Sequence, residues 1–498
     1  MNIKNERGNI LILTYLVIAV LLGFGAALSI LSVSEARFVE KQRRTLIAFN
    51  NAEAGIARAM YDLRQDFVNA SGVPSFSDGD INGYAIGPST SSFYSIPYAS
   101  TSINGGNYAV SLKNVSGFNE AVIIRSVGTF GGSTQTIEAT IKMVSLSPWT
   151  NAIFAGAGAA GAMINGNVDI RGSVHILANG VDPTDAVVDL GGTAELIGNN
   201  YNGMAAVTQA LIPALDTVSF NGETVSSLNA VLRVKNGVVS LNGSATAGQP
   251  DQTGNSVKET IDASFVTNGF AGNAGTANVF SDNGWSNPYD LGDLVSFPSL
   301  SDPYPGYASY QSYLQANALV INNATDLATL AAITPNSSFT MTDGAGNSIS
   351  MDGSGNLAIS GVVYIDGGDL NMNVAGSDKT ITYSGRGSIF VSGNAQVNLN
   401  LKTSGNLSYP ANIMGIMTPN TIGFHEANTE VMGVFYAEDQ ITVEKQTNLI
   451  GTIVANYFDM GTNVPKIFQV PMTSGNLPPG MIGQDALWLL RTVGWRKV

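Results

Sequence analysis

An uncharged, largely apolar run from Asn9 to Ser34 constrains this chain more than any other feature of its sequence. It contains Ile10-Leu11-Ile12-Leu13 and, a little further on, Leu16-Val17-Ile18-Ala19-Val20-Leu21-Leu22. Roughly 20 apolar residues in a helix cross the hydrocarbon of a bilayer, so this run is long enough to span. Lys4 and Arg7 lie upstream, and the first charge downstream is Glu35. The positive-inside bias then keeps residues 1–8 in the cytoplasm and sends the remainder across. An ordinary secretory signal has a shorter apolar core and a small-residue cleavage site; Ala27-Leu28-Ser29 offers only a weak one.

The helical pattern continues past the apolar run. From Glu35 to Phe67 there is no Pro and a single Gly, Gly55. Phe49, Ala52, Ile56, Met60, Leu63 and Phe67 recur at steps of three and four, which predicts one apolar stripe. Charges of both signs, from Glu35 to Arg64, fill the other faces as on a solvated surface. The spacing predicts one helix over 9–67, about 90 Å long, its first half in lipid and its second packed on a domain.

Two short motifs carry a family resemblance. Glu6-Arg7-Gly8 followed by Asn9-Ile10-Leu11-Ile12-Leu13 resembles the type III (prepilin) signal of type IV pilins and type II secretion pseudopilins. Ala52-Glu53-Ala54-Gly55-Ile56 is similar to the signature of PilX-type minor pilin N-terminal domains. Together they cover about the first 65 residues. The resemblance implies a cut between Gly8 and Asn9 by a prepilin peptidase, with methylation of the new N-terminus. It also implies that the helix carrying Ile10, Leu13, Leu16, Val20, Gly23 and Gly25 packs in membrane lipid against other pilins or pseudopilins. Most pilins place Glu at the fifth residue after the cut, where this chain has Leu13; that departure points to an accessory, priming or tip role rather than a bulk subunit. Gly23 and Gly25 lie where pilin helices loosen on assembly, and equally where small residues let helices approach in lipid. The localisation implied is the bacterial inner membrane, single-pass, with a cytoplasmic N-terminus and an exported C-terminal region, and the pilus tip or cell surface as a further destination.

Beyond the helix the chain reads as β. Hydrophobic residues make up 44% and charged residues 12%, and 56 glycines separate short apolar runs; Gly and Asn tolerate the positive φ at which strands reverse. Tyr108–Leu112, Ala121–Val127 and Thr136–Val144, divided by Asn114-Val115-Ser116-Gly117 and Gly131-Gly132, predict three antiparallel strands. A long helix followed by a small antiparallel sheet is the element order of a pilin head. The expected organisation is a leader (1–8), the helix (9–67), a small antiparallel domain packed on it (68–146), and a mainly β region after Pro148-Trp149. The fold class is thus α+β.

Glycine spacing suggests how that later region is built. Gly415, Gly433 and Gly451 stand 18 residues apart, each within an apolar run, and Gly166-Asn167-Val168 and Gly172-Ser173-Val174 repeat at six. Parallel β-solenoids repeat at such periods, because each rung buries its inward side chains only by stacking on the next. A solenoid start at 147–200, an irregular insert at 201–357, and solenoid rungs with a C-terminal cap at 358–498 are expected; an antiparallel sandwich is the alternative. Short helices are expected near Met204–Leu215, over Tyr310–Leu319 and at Asp326–Leu330. The tail, Leu487–Lys497, reads as the cap or as a lipid-headgroup contact.

Chemistry is thinly represented. The net charge of −14, with no cluster of Lys and Arg beyond the first 45 residues, speaks against a nucleic-acid partner. There is no cysteine, and His175 and His425 are the only histidines; without a third ligand neither a zinc site nor a triad is supported. Asp343-Gly344-Ala345-Gly346-Asn347 and Asp352-Gly353-Ser354-Gly355-Asn356 loosely match calcium-binding repeats, and are explained more simply as hairpin turns. No cofactor and no enzymatic role are expected. The functional expectation is a minor pilin-like structural or assembly component of a type IV pilus or type II secretion-like apparatus. The alternatives are a surface adhesin binding an external glycan or surface ligand through the solenoid, and a carbohydrate-active β-helix enzyme, which would need a carboxylate cluster.

Overall fold

The structure is a computed structural model that describes residues 6–69, 79–87, 89–115, 118–157, 164–166, 168–192, 195–460, 465–483 and 488–498. The first five residues of the expected leader, the Ser116-Gly117 turn, Asn167 and Leu487 lie outside the described residues. A long N-terminal helix precedes a region that is mostly β. The chain divides into two units, one formed by Met1–Val144 with Trp488–Val498 and the other by Ser145–Leu487.

In the first unit the helix α1 (Glu6–Asn69) runs without a break for 64 residues, about 96 Å. Its sheet contains three long antiparallel strands, β1 (Gly106–Val115), β2 (Phe118–Phe130) and β3 (Ser133–Ser145), in the register Ala109↔Val127↔Thr136. Gly131 and Gly132, at φ 54° and 84°, make the tight reversal between β2 and β3; successive positive φ values match the twist of a hairpin. Val110, Leu112, Ile124, Ala139 and Ile141 from alternate strand positions form a core with Ala59 and Leu63 of the helix.

The strand beside β3 comes from the far end of the chain. Trp488–Lys497, expected as a cap on a solenoid or a lipid contact, is instead the edge strand of this sheet. Leu490 enters the same core, and Arg496 donates from Nε (2.8 Å) and Nη2 (2.5 Å) to the buried Glu138 of β3. Leu490 is the one residue of Leu489–Lys497 that is buried, and the basic residues Arg491, Arg496 and Lys497 suit the exposed edge of a sheet.

The second unit is built mainly from parallel strand rows. We label β4 (Ile153–Ala157), β5 (Val174–Asn179), β6 (Val231–Val234), β7 (Ala263–Val266), β8 (Asn356–Ile365), β9 (Thr380–Val391), β10 (Asn400–Thr403), β11 (Ile413–Thr418), β12 (Glu430–Val443), β13 (Asn448–Asp459) and β14 (Lys466–Phe468). One apolar ladder runs through them in register, Val363↔Ile389↔Ile416↔Phe435↔Ile453↔Ile153↔Val174↔Leu232. Each of these side chains is buried, and no row covers its own apolar face without the next. The segments about 150–200 and 358–465 thus share one sheet, joined where β13 pairs with β4. The predicted insert takes part as well, because β6 and β7 extend the ladder.

A uniform solenoid does not describe these sheets. They are mixed: Ser338–Thr342, Ser348–Asp352 and β8 pair antiparallel, as do Asp216–Phe220 and Glu223–Ser227. The cause is local, since Gly344, Gly346, Gly353 and Gly355 at positive φ fold the chain straight back. The glycine period is also only partly a strand period, with Gly433 opposite Gly451 but Gly415 opposite Val434. The expected helices appear as Ala206–Gln209, Tyr310–Asn317 and Ala324–Leu330. Trp149 donates its indole N–H to Ile482 O at 2.7 Å, so the two ends of the unit meet.

Candidate functional site

The feature with the most evident functional geometry is the N-terminal half of α1. Ile10, Leu13, Leu16 and Val20 are 64%, 63%, 58% and 47% exposed. An 18-residue apolar window of the helix has none of its area buried inside the protein, and it is long and apolar enough to cross a membrane. Two of its hydroxyls are satisfied within the helix without water, Thr14 Oγ1 donating to Ile10 O at 2.8 Å and Ser29 Oγ to Gly25 O at 2.9 Å. The helix passes unbroken through Gly23 and Gly25, and a Cβ at either would meet nothing within 4 Å. Gly8 and Asn9 both lie in its first turns.

The helix acquires partners abruptly after the apolar run. Glu40 accepts from Arg43 Nε at 2.8 Å and Arg44 Nε at 2.7 Å, and these hydrogen bonds pull its carboxyl down to about 2. Arg44 Nη1 also donates to Gly131 O at 3.1 Å, tying the helix to the β2–β3 turn. Phe38 and Leu46 remain 60% exposed, and with Phe49 and Lys497 they line a recess of about 430 Å³.

From Ala48 onward the buried face is narrower and smaller than the predicted stripe. Ala48, Asn51, Ala52, Gly55, Ala59, Asp62 and Leu63 face the sheet, while Phe49, Ile56 and Met60 flank them half-buried; the side chain of Phe67 lies outside the described residues. The reason is close backbone approach. A Cβ on Gly55 would lie 2.2 Å from Ser126 Oγ, and one on Gly128 would lie 2.1 Å from Ala48 O and 2.3 Å from Ala52 N. Only the smallest residues fit at such contacts. The motif Ala52-Glu53-Ala54-Gly55-Ile56 is therefore a packing seam: Ala52 and Gly55 meet β2, Ile56 joins the core edge, Glu53 is exposed and Ala54 intermediate.

Asp62 is the one buried carboxylate on that seam, and periodicity passed over it. It accepts from Arg58 Nε at 3.0 Å, Asn82 Nδ2 at 3.0 Å and Tyr98 OH at 2.8 Å. Asn82 and Tyr98 tie the helix to two loop segments of the first unit, and burial together with Asp62 raises the Tyr98 hydroxyl above its usual range. The Arg58–Asp62 spacing of four was the available signal. Burial pushes the Glu138 carboxyl up, but hydrogen bonds from Arg496 and Arg125 outweigh it and hold it below the ordinary carboxylate value.

The residues singled out for chemistry do not converge. His175 Nε2 lies 2.7 Å from Tyr289 OH, and burial beside Arg233 and Lys235 keeps its pKa well below the usual value. His425 faces Glu444 at 3.3 Å. The Asp343 and Asp352 carboxylates accept from their own turns, from Ala345 N and Ser354 N at 2.7 Å, and from Asn347 and Asn356. Among the described residues no group of three His, Cys, Asp or Glu side chains is arranged to hold a metal.

No protein-family model and no curated protein matches the chain. Among solved structures, its fold is similar to that of the competence-associated pilin ComZ from Thermus thermophilus. The two share a TM-score of 0.56 at 22% identity over 91% of this chain and 97% of that one. The similarity spans both units in sequence, so it establishes the fold beyond the N-terminal helix.

Proposed function

We propose that the chain is a minor pilin-like structural component of a type IV pilus or a related type II secretion apparatus. The observation that carries this reading is the single helix whose apolar N-terminal half covers nothing of its own protein and whose C-terminal half seals a small antiparallel head. That division suits a subunit held first in the inner membrane by residues 9–34 and then among the helices of other pilins. The likeness to a pilin fold supports it. In this reading Gly8 and Asn9 are substrate positions for a prepilin peptidase, the new N-terminus is methylated, and the chain acts structurally. Leu13 places a neutral side chain where the charge pairing of bulk subunits is made, which favours an accessory or tip position presenting the second unit outward.

N-terminal mass spectrometry of the membrane-extracted chain, with and without prepilin peptidase, tests the reading. The expected mature chain begins at a methylated Asn9, and Gly8→Ala retains the leader. A chain beginning near Ile30 would indicate ordinary secretion and refute it.

A further inference from the structure

On one side of the second unit the first residues of four strands fall at one register position. They are Asn400 of β10, Glu430 of β12, Asn448 of β13 and Lys466 of β14. Rows of a sheet stand about 4.8 Å apart, so these side chains form a polar ladder. They bound a cleft of about 450 Å³, within the size range of ligand sites. Its floor is fixed: Lys402 pairs with Glu430, which also accepts from Thr208 Oγ1 at 2.9 Å, and Glu430 N donates to Asn400 Oδ1 at 2.9 Å.

Its walls are uncommitted. Asn428 and Gln446 stand in the turns leading into β12 and β13 and complete the lining. Among the described residues no hydrogen bond or ion pair engages the side chains of Asn428, Gln446, Asn448 or Lys466. Three amides that both donate and accept, beside an ammonium that makes no ion pair because Asp169 in the next row is held by Arg171 at 2.8 Å, match hydroxyls and a carboxylate. Two lysines against one glutamate leave the cleft net positive in a chain of charge −14. No aromatic ring lines it, so it offers no stacking platform for a nucleobase.

We propose that this ladder binds an acidic polysaccharide, a uronic-acid chain laid across the strand rows. Lys466 takes a carboxylate, and Asn428, Gln446 and Asn448 take ring hydroxyls. The row spacing is close to the length of one extended pyranose residue, so successive rows meet successive sugars. The inference concerns the second unit and stands whether or not the chain is cut at Gly8.

Isothermal titration calorimetry of the full chain in detergent tests it, with oligogalacturonate as the probe. Maltohexaose, inorganic phosphate and a short single-stranded oligonucleotide are the comparisons. Oligogalacturonate is expected to bind, and Lys466→Gln and Asn448→Ala each to weaken it about tenfold, the effect of one charge-assisted or well-made hydrogen bond. Lys113→Ala, in the other unit, is expected to leave it unchanged, and melting followed by circular dichroism to show all three variants folded. Equal affinity for maltohexaose overturns the acidic-sugar assignment, and equal affinity for phosphate reduces the cleft to an anion site. Binding of the oligonucleotide without the saccharide, or of no probe at all, also overturns the proposal.

Discussion

Gly55 sits where the helix meets β2, and its replacement by alanine isolates the seam energetically. In an exposed helix the change would be favourable by about 1 kcal/mol. Here the new Cβ would lie 2.2 Å from Ser126 Oγ, 3.0 Å from Val110 Cγ2 and 3.1 Å from Tyr108 Cδ2. Overpacking of that kind costs about 1–3 kcal/mol, so Gly55→Ala is expected to destabilise the first unit by up to about 2 kcal/mol net. The worst contact is a hydroxyl that is itself buried without a hydrogen-bond partner. Deleting it by Ser126→Ala is expected to be neutral or stabilising, because an unsatisfied buried polar group is removed. In that background the cost of Gly55→Ala should fall by about 1–2 kcal/mol, the signature of coupled neighbours. Hydrogen exchange of the amides of residues 48–63, in the full chain in detergent, reads this locally. Equal costs in the two backgrounds would refute the close-approach account of the motif.

Gly128→Ala meets helix backbone rather than a hydroxyl, so it is expected to cost about 3 kcal/mol or more and, by the same exchange measurement, to gain nothing from Ser126→Ala. Asp62→Ala removes the acceptor of three donors at the seam; a loss of about 1–3 kcal/mol is expected, with faster exchange at Asn82 and unchanged exchange in the second unit. Glu138 titrates below its ordinary value in the folded chain, so its contribution is present above the unfolded pKa and is lost as pH falls through the folded one. Glu138→Gln should flatten that acid limb and speed carboxypeptidase removal of the C-terminal strand. His175 is depressed, so the unfolded chain takes up its proton first and stability falls as pH drops below about 6.5. His175→Gln should remove that acid-side loss from the second unit's urea transition, and an unchanged profile would contradict the burial argument.

The helix, the three long strands and their hairpin order were legible because each depends on neighbours in sequence: the 3.6-residue period, the absence of Pro, the Gly131-Gly132 turn. The seam on the second half of α1 is narrower than the predicted stripe and displaced to one side of it, for a physical reason. A stripe search weights large apolar side chains, whereas the seam is set by how near two backbones come, which favours Ala48, Ala52 and Gly55 over Phe49 and Met60. The polar ladder at Asn400, Glu430, Asn448 and Lys466 was not legible at all. Its members are brought together by register between rows, and no local pattern marks Asn or Lys as ladder positions. The antiparallel hairpins at 338–360 are partly readable, since the two Asp-Gly turns mark chain reversals, while the surrounding glycine period points to parallel rows.

The placement of Trp488–Lys497 links these two levels. β3 and the C-terminal strand are neighbours in one sheet, yet the whole second unit lies between them in sequence. Such an insertion is tolerated where the inserted unit's ends lie together, and Trp149 on Ile482 brings them together here. The consequence concerns order. A chain emerging from its N-terminus forms α1 and β1–β3 first, and until its last residues arrive the edge of β3 is open and Glu138 has only Arg125. An open edge is a template for mispairing; the strand that closes it carries Arg491, Arg496 and Lys497 along the new edge, where positive charge opposes further pairing. Completion of the first unit's sheet therefore depends on completion of the second unit, and a chain truncated within the second unit would carry an unsealed sheet on an otherwise unchanged helix.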